Sequence, residues 1–574
     1  MAVDLKRWLP TTKKEIEIRG WNDVDVVLFT GDAYVDHPSF GAAIIGRIIE
    51  DCGWRVAIVP QPDWHGDWRD FRKFGAPRRF FAVTAGAMDS MVNHYTAAKR
   101  LRHDDAYTPD GRHGARPDRA TIVYCKILKQ LYPDVPVIIG GIEASLRRLA
   151  HYDYWDDKYM PSVLAQCGAD LLSYGMGEKI TREICRTFDE GGGIEECKKL
   201  RQTAFLRRRE NNEGELRLHC FEECAKDKRV AVETFKIIEQ ESNKLNDIVL
   251  VQGVGDMDVV VNPPFPPIPT EEMDRIYELP FTRLPHPKYA GKRIPAFDMI
   301  RWSVNTHRGC WGGCAFCTIS MHQGKFVVSR SAESVLREIK EIMKDPEFKG
   351  YLSDLGGPSA NMYMMRGKDE AMCRKCHRPS CAWPQICPNM NTDHSALLKL
   401  YRDVDAIKGI KKSFIGSGVR YDVAMHKTGD KRVDAVNREY IDELIINHVS
   451  GRLKVAPEHT SDKVLGMMRK PSFSLFYKFK EIFDQINVRE GLRQQIIPYF
   501  ISSHPGCEMK DMLELSKIVR RLDFRLEQVQ DFTPTPMTYA TEMFYAGIDP
   551  YSGKKVFVAR KTEEKQEQKN KFFV

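Results

Sequence analysis

A chain of 574 residues with 42% hydrophobic side chains exceeds the size at which one core keeps growing, so at least two domains are expected. Its 87 Lys and Arg against 79 Asp and Glu leave a net charge of only +8, which is mild for this length and does not indicate a nucleic-acid partner. No apolar run approaches the ~20 residues of a membrane helix, and the opening Met1-Ala-Val-Asp-Leu-Lys-Arg-Trp has no secretory apolar core, so a cytoplasmic protein with no membrane partner is expected. In a reducing compartment its 15 cysteines read as metal ligands and buried residues, not disulfides.

From Asp23 to Gly193, β-rich apolar runs alternate with helical ones: Val26 to Phe29, Trp54 to Val59, Phe80 to Val83, Val135 to Ile139 and Asp170 to Ser173. That alternation predicts an α/β, doubly wound parallel sheet over residues 1–193, with ligands at the strands' carboxyl ends. The run His151 to Tyr159 mixes aromatics with carboxylates and suits either a pocket wall or a domain contact. Residues 194–293 read as a helical and proline-rich connector. It has a helix over Lys228 to Ser242, an extended polyproline stretch through Asn262-Pro-Pro-Phe-Pro-Pro-Ile-Pro269, and basic clusters at Lys198 to Arg201 and Arg207 to Arg209 on solvated helix faces.

Alternation resumes over 294–555. Strands are predicted at Ile300 to Val304, Tyr351 to Leu355, Ser413 to Gly416, Leu453 to Ala456, Gln495 to Ile501 and Arg525 to Val529. Between them lie amphipathic helices carrying Val335, Ile339 and Ile342 on one face, and Ile441, Leu444, Ile445 and His448 on another that ends near Gly451. Six βα units imply a partial (β/α)6 barrel, open on one side, with its chemistry at the carboxyl ends of the strands. A charged tail over 556–574 reads as a mixed-charge helix or a disordered end.

After the first of these strands comes Arg308-Gly-Cys310-Trp-Gly-Gly-Cys314-Ala-Phe-Cys317. Its C-x3-C-x2-C spacing suits three thiolates on one iron–sulfur cluster. A closed cluster takes four ligands, so three leave one iron open to a small molecule. Gly309, Gly312 and Gly313 allow a tight wrap, and Trp311 and Phe316 supply apolar cover. With Phe316 before Cys317 the loop resembles the radical S-adenosylmethionine (SAM) superfamily. That resemblance implies catalytic Cys310, Cys314 and Cys317 holding a 4Fe–4S cluster, whose open iron chelates SAM for reductive cleavage to methionine and a 5'-deoxyadenosyl radical.

Later loops extend the resemblance. Gly356-Gly-Pro-Ser-Ala-Asn361 is similar to the superfamily's glycine-rich motif, implying backbone contacts from Gly356 and Gly357 to the SAM amino group; Pro358 stands where Glu is common. Ser417 and Arg420, in Gly416-Ser-Gly-Val-Arg-Tyr-Asp422, and Glu458, in Pro457-Glu-His459, are further cofactor-binding candidates. Ser502-Ser-His-Pro-Gly506 and Phe532-Thr-Pro-Thr-Pro-Met-Thr538 resemble loops of radical methylthiotransferases. With Asp354 to Tyr363 and Leu453 to His459, their order over nearly the whole chain is similar to the YgiQ family of radical SAM proteins, which implies no established substrate. The N-terminal pieces Gly31 to Gly41, Ile138 to Ala144 and Tyr174 to Glu178 resemble a cobalamin-binding domain. Its D-x-H-x2-G motif is not matched, because Asp36 directly precedes His37 and Gly41 follows four residues later. The mismatch argues against His37 as a cobalt ligand and leaves cobalamin a doubtful cofactor.

An insertion over 366–394 carries a second candidate metal site, Cys373-x2-Cys376-x4-Cys381-x5-Cys387-Pro388, with His377 and His394 nearby. Four thiolates suit a structural zinc or an auxiliary iron–sulfur cluster, and Pro after the last Cys is similar to bacterial ferredoxin runs. The expected function is a radical SAM enzyme of unidentified substrate, served by an electron donor such as a flavodoxin or ferredoxin. The alternatives are a radical SAM methylthiotransferase or methyltransferase acting on tRNA or protein, and a metal-stapled binding or redox-sensing scaffold without catalysis.

Overall fold

The computed structural model describes residues 4–573 apart from Asp523, Arg525 and Glu527. Its chain forms two compact units: Met1–Ile237 with Leu245–Ile268 and Arg275–Arg301, and Ile238–Lys244 with Pro269–Asp274 and Trp302–Val574.

The first unit is built on nine strands: β1 (Val26–Thr30), β2 (Val56–Pro60), β3 (Phe80–Thr84), β4 (Val137–Gly140), β5 (Leu171–Ser173), β6 (Thr203–Arg208), β7 (Glu215–Leu218), β8 (Val249–Val254) and β9 (Met257–Val261). They form one sheet in the order β2-β1-β3-β4-β5-β6-β9-β8-β7. β1 to β5 pair in parallel, as the α/β reading expects. β1 and β2 are buried at every residue, which is why they read as unbroken apolar runs and do not alternate.

The segment read as a connector differs from that expectation. It does contain the helix Lys228–Ser242, but it also contributes β6 to β9, and β6 joins β5 antiparallel. β6 and β7 escape an apolar-run reading because charged pairs lie across them, whereas β8 and β9 are apolar runs that the connector reading did not take as strands. Arg207, taken for a helix-face residue, sits on β6 and donates to Glu215 at 2.6 Å, while Arg217 grips Asp258 at 2.8 and 2.9 Å. The aromatic run after β4 folds back as a hairpin, His151–Asp153 against Lys158–Met160. Tyr152 and Tyr154 are buried within the unit, Tyr154 donating its hydroxyl to the Ala97 carbonyl at 2.5 Å.

In the second unit the strands are β10 (Ser303–Asn305), β11 (Tyr351–Leu352), β12 (Asp354–Gly356), β13 (Lys412–Ser413), β14 (Arg452–Glu458), β15 (Gln495–Ser502) and β16 (Gln528–Asp531). β10 pairs with β12, β11 with β13, β14 with β15 and β15 with β16, all parallel. A parallel bridge from Val419 to Val455 links the run after β13 to β14. β11 and β12 are one interrupted strand, so six strand positions follow one another in chain order. They pack with the helices Ala332–Ile342, Lys431–Asn447 and Phe473–Arg489 around Val335, Ile339, Leu444, Phe476 and Phe479.

Two boundaries move. Pro295–Ile300 is helical, with proline at its first position where the missing N–H costs nothing, so the predicted strand from Ile300 begins only at Ser303. Of the last predicted strand, Arg525 and Glu527 lie outside the described residues, and pairing runs over Gln528–Asp531. The charged tail is a packed helix, Thr562–Asn570. Gln568, 2% exposed, donates to the Cys507 carbonyl and accepts from the Ser503 N–H, each at 2.9 Å. Among the described residues no helix is long and apolar enough to cross a membrane.

Candidate functional site

The cysteine loop leaves β10 through His307–Arg308, which pair antiparallel with Val328–Ser329 and close the segment between them. Two glycines are required by close approach. At Gly309 (φ +83°) a Cβ would stand 2.3 Å from the Phe326 carbonyl oxygen, and at Gly313 (φ +56°) 2.1 Å from that of Pro379. The loop is pinned by its own backbone: Cys310 N–H donates to Gly324 at 3.1 Å, Ala315 N–H to Met468 at 3.0 Å, and Ala540 N–H to Ala315 at 2.9 Å. Trp311 is 1% exposed and packs among Met362, Met365, Met390 and Val423.

The loops after the next strands reach the sulfurs. Ser359, after β12, places its hydroxyl 3.4 Å from Cys310 Sγ. Arg420, after β13, donates from Nη1 to Cys314 Sγ at 3.7 Å, and its Nε holds Asp422 at 3.0 Å. Burial pushes the Cys310 thiol up, and burial followed by the neighbouring Cys314 pushes Cys317 up to about 12. Both are therefore protonated at neutral pH, and metal binding there releases protons. Burial works against the Arg420 charge, but Asp422 and the Cys314 sulfur outweigh it and keep the guanidinium protonated. Among the described residues no three His, Cys, Asp or Glu side chains gather as one metal ion requires. A cluster takes one thiolate per iron, so three enclosed thiols, one of them bonded by a fixed cation, fit that group without meeting at a point.

Of the five cofactor-binding candidates, Gly356 and Glu458 end β12 and β14, and Gly357, Ser417 and Arg420 follow β12 and β13. A Cβ on Gly357 would fall 2.6 Å from the His307 ring, and one on Gly356 2.9 Å from Ser417 Oγ, so both glycines are packing points of their own chain. Ser417 donates its hydroxyl to Asp354, which also accepts the N–H groups of Gly416 at 2.9 Å and Ser417 at 3.1 Å. Glu458 closes β14 at φ +69°, 3.6 Å from Lys470; burial raises its carboxyl pKa, with Lys470 opposing. Asn361 and Asp422 were missed as positioning residues. The Asn361 side chain accepts from Arg420 N–H at 2.8 Å and donates to the Arg420 carbonyl at 3.0 Å, fixing one loop to the next. Both stand inside the two motifs already singled out; the partner of Asn361 lies in the other motif, and that of Asp422 two residues away in its own.

The helix Tyr539–Ala546, whose Ala540 bonds the cysteine loop, carries a fully enclosed acid. Glu542 is 2% exposed, and burial raises its pKa to about 8. The folded state thus keeps a proton that the unfolded state loses above about 4.5, so stability falls as pH rises between the two values. Glu542→Gln is expected to flatten that fall between about pH 5 and 8, read as denaturation midpoints that no longer drop with pH.

The family model for the radical SAM N-terminal region matches residues 8–303. A UPF0313 protein of Bacteroides thetaiotaomicron is 62% identical over 99% of this chain and 94% of its own length. One from Porphyromonas gingivalis is 59% identical over 99% and 90%. The chain belongs to the UPF0313, or YgiQ, family of radical SAM proteins. Among solved structures, the radical SAM methyltransferase TsrM from Kitasatospora setae, determined with cobalamin and a 4Fe–4S cluster, aligns over 90% of this chain and 74% of its own at TM-score 0.47 and 14% identity. OxsB, a cobalamin-dependent SAM radical enzyme, aligns over 91% and 55% at TM-score 0.49 and 10% identity.

In this YgiQ-family chain His37 accepts the Ser39 N–H at Nδ1, 3.0 Å away, and meets Arg283 Nη2 through Nε2 at 2.7 Å. Neither ring nitrogen is free as placed. The second cysteine set lies in the insertion with Cys373 on the helix Glu370–Lys375, its sulfur accepting from Asn389 Nδ2 at 3.2 Å. Lys325, buried beneath, donates to the carbonyls of Cys376 at 3.2 Å and Arg378 at 3.1 Å. His377 is exposed beside the set. His394 is buried apart from it, stacked on Tyr440 at 4.2 Å with its ring nitrogens bonded to Asn437 and Asn361. All described cysteines are free thiols.

Proposed function

We propose that this protein is a radical SAM enzyme acting on an unidentified substrate, with Cys310, Cys314 and Cys317 as ligands of a 4Fe–4S cluster and SAM at its open iron. The observation that carries the reading is the convergence of loops from successive parallel strands on two of the three sulfurs, with Ser359 at Cys310 and Arg420 at Cys314. When bound, the cluster supplies the electron that cleaves SAM to methionine and a 5'-deoxyadenosyl radical. The chain's own part is positioning and exclusion. Three sulfurs hold the group, and Arg420, locked by Asp422, sets a fixed positive charge against one of them. Glu458, its carboxyl pKa raised by burial, would offer a polar group to SAM. Phe316, His504 and Phe532 stack edge to face at 6.0 and 5.2 Å, an apolar wall that keeps water from a radical.

Anaerobic protein with an assembled cluster, reductant and SAM is expected to release 5'-deoxyadenosine, read by liquid chromatography and mass spectrometry. Loaded protein that releases none on prolonged incubation removes the reading.

A further inference from the structure

The insertion does not hang from the barrel; it is bonded to the cysteine loop. Cys381 N–H donates to the Trp311 carbonyl at 3.0 Å, and Ser380 Oγ donates to the Gly312 carbonyl at 2.6 Å. Pro379 packs so tightly over Gly313 that no Cβ fits between them. One residue and one hydrogen bond therefore separate Cys310 of the first set from Cys381 of the second. Trp311 fills the space between, with Cys310, Cys381 and Cys387 all against its cluster of methionines.

The second set is itself organised. Cys387 N–H closes on the Cys381 carbonyl at 2.8 Å, Asn389 supplies an N–H to the Cys373 sulfur, and Gly367 is glycine because a Cβ would touch that sulfur at 2.3 Å. The Lys325 ammonium lies within electrostatic reach of Cys373, Cys376 and Cys381, a counter-charge for an anionic centre. The inner end, Cys381, meets the first loop; the outer end is at the surface, where Arg374, Lys375 and His377 are exposed.

We propose that Cys373, Cys376, Cys381 and Cys387 hold a second iron–sulfur cluster, the entry point through which the first cluster is reduced. The four thiols lie within electrostatic reach of one another, and a cluster takes one thiolate per iron; a structural zinc on the same four thiolates is the outcome that metal analysis would turn up against it. One electron from a reduced flavodoxin- or ferredoxin-type carrier enters the second cluster, which returns to its oxidised form as the electron passes to the first. No bond forms or breaks and no proton is required. Arg374 and Lys375 beside the outer cysteines suit the acidic surface of such a carrier. The relay role rests on the first cluster being present; the second metal site does not.

The test is metal and sulfide analysis with electron paramagnetic resonance on anaerobically assembled full chain. Wild type is expected to hold about eight irons, and both Cys310→Ala/Cys314→Ala/Cys317→Ala and Cys373→Ser/Cys376→Ser about four, each retaining one reducible cluster signal. A triple variant that holds zinc, or no metal, overturns the second cluster and leaves the first reading standing. A triple variant that keeps all the iron of wild type instead sinks the first reading. For the relay, reduction of the first cluster is followed by stopped flow in Arg374→Glu/Lys375→Glu, a surface change that spares every ligand. Reduction by flavodoxin hydroquinone is expected to slow at least tenfold relative to reduction by dithionite, and equal slowing overturns the entry role.

Discussion

Arg420→Leu is expected to cost the second unit about 3–5 kcal/mol and most of its iron, because it strands the buried Asp422 carboxylate without its partner. Asp422 is 8% exposed, so water cannot replace the guanidinium. The same change removes the N–H that Cys314 Sγ accepts at 3.7 Å. Cluster that still assembles is expected to reduce at a lower potential, since a hydrogen bond and a positive charge at a ligand sulfur both favour the reduced form. Arg420→Lys keeps the charge but not the two-pronged grip on Asp422 and should fall between. The Arg420→Leu/Asp422→Leu pair separates the two losses: stability should return toward wild type while the potential stays low. Denaturation midpoints, iron content and potentiometric titration read all three, and an Arg420→Leu protein with unaltered potential would remove the arginine from the cluster's environment.

Gly313→Ala should do comparable damage by a different route. The left-handed backbone at φ +56° alone costs an alanine about 1–2 kcal/mol. The added methyl also meets the Pro379 oxygen at 2.1 Å and the Ser380 Cα at 2.8 Å, both backbone atoms that cannot swing aside. Residues 379–381 must move, breaking the bonds from Ser380 to Gly312 and from Cys381 to Trp311. Gly324→Ala is the matched control: φ is +90°, but no atom lies within 4 Å of the new methyl, so only the backbone cost applies. Gly313→Ala is expected to lose at least half its iron where Gly324→Ala retains it; equal retention would mean that the insertion does not brace the loop.

Strands buried on both faces were the most legible part of the fold. Val26 to Phe29 is apolar without interruption and every residue of β1 is buried, and its prediction differs by one residue, Thr30. Strands β6 and β7 were not legible, since Arg207, Glu215 and Arg217 pair across the sheet and look like solvated charge when read singly, whereas β8 and β9 carry apolar runs, Val249 to Val251 and Val259 to Val261, that the connector reading passed over. For the tail the helical alternative holds, but its packing was not legible: Lys565 and Gln568 are polar, yet each is only 2% exposed because the helix docks on the loop after β15.

The sequence by itself determined which thiols are the candidate ligands. Three at that spacing, set among glycines after a strand, and four more in a basic insertion, mark two candidate sets whatever the packing, because residue type and local spacing are covalent facts. Tertiary structure alone decided which residues serve those sets. Arg420 lies 106 positions from Cys314, Ser359 lies 49 from Cys310, and Cys381 bonds the Trp311 carbonyl across the barrel's rim. Such contacts depend on how successive loops meet at one end of the parallel strands, and no local pattern encodes that meeting. For the same reason Gly356, Gly357 and Ser417 looked alike in sequence as cofactor contacts, and only their neighbours show that the glycines make room for His307 and Ser417 while Ser417 is fastened to Asp354.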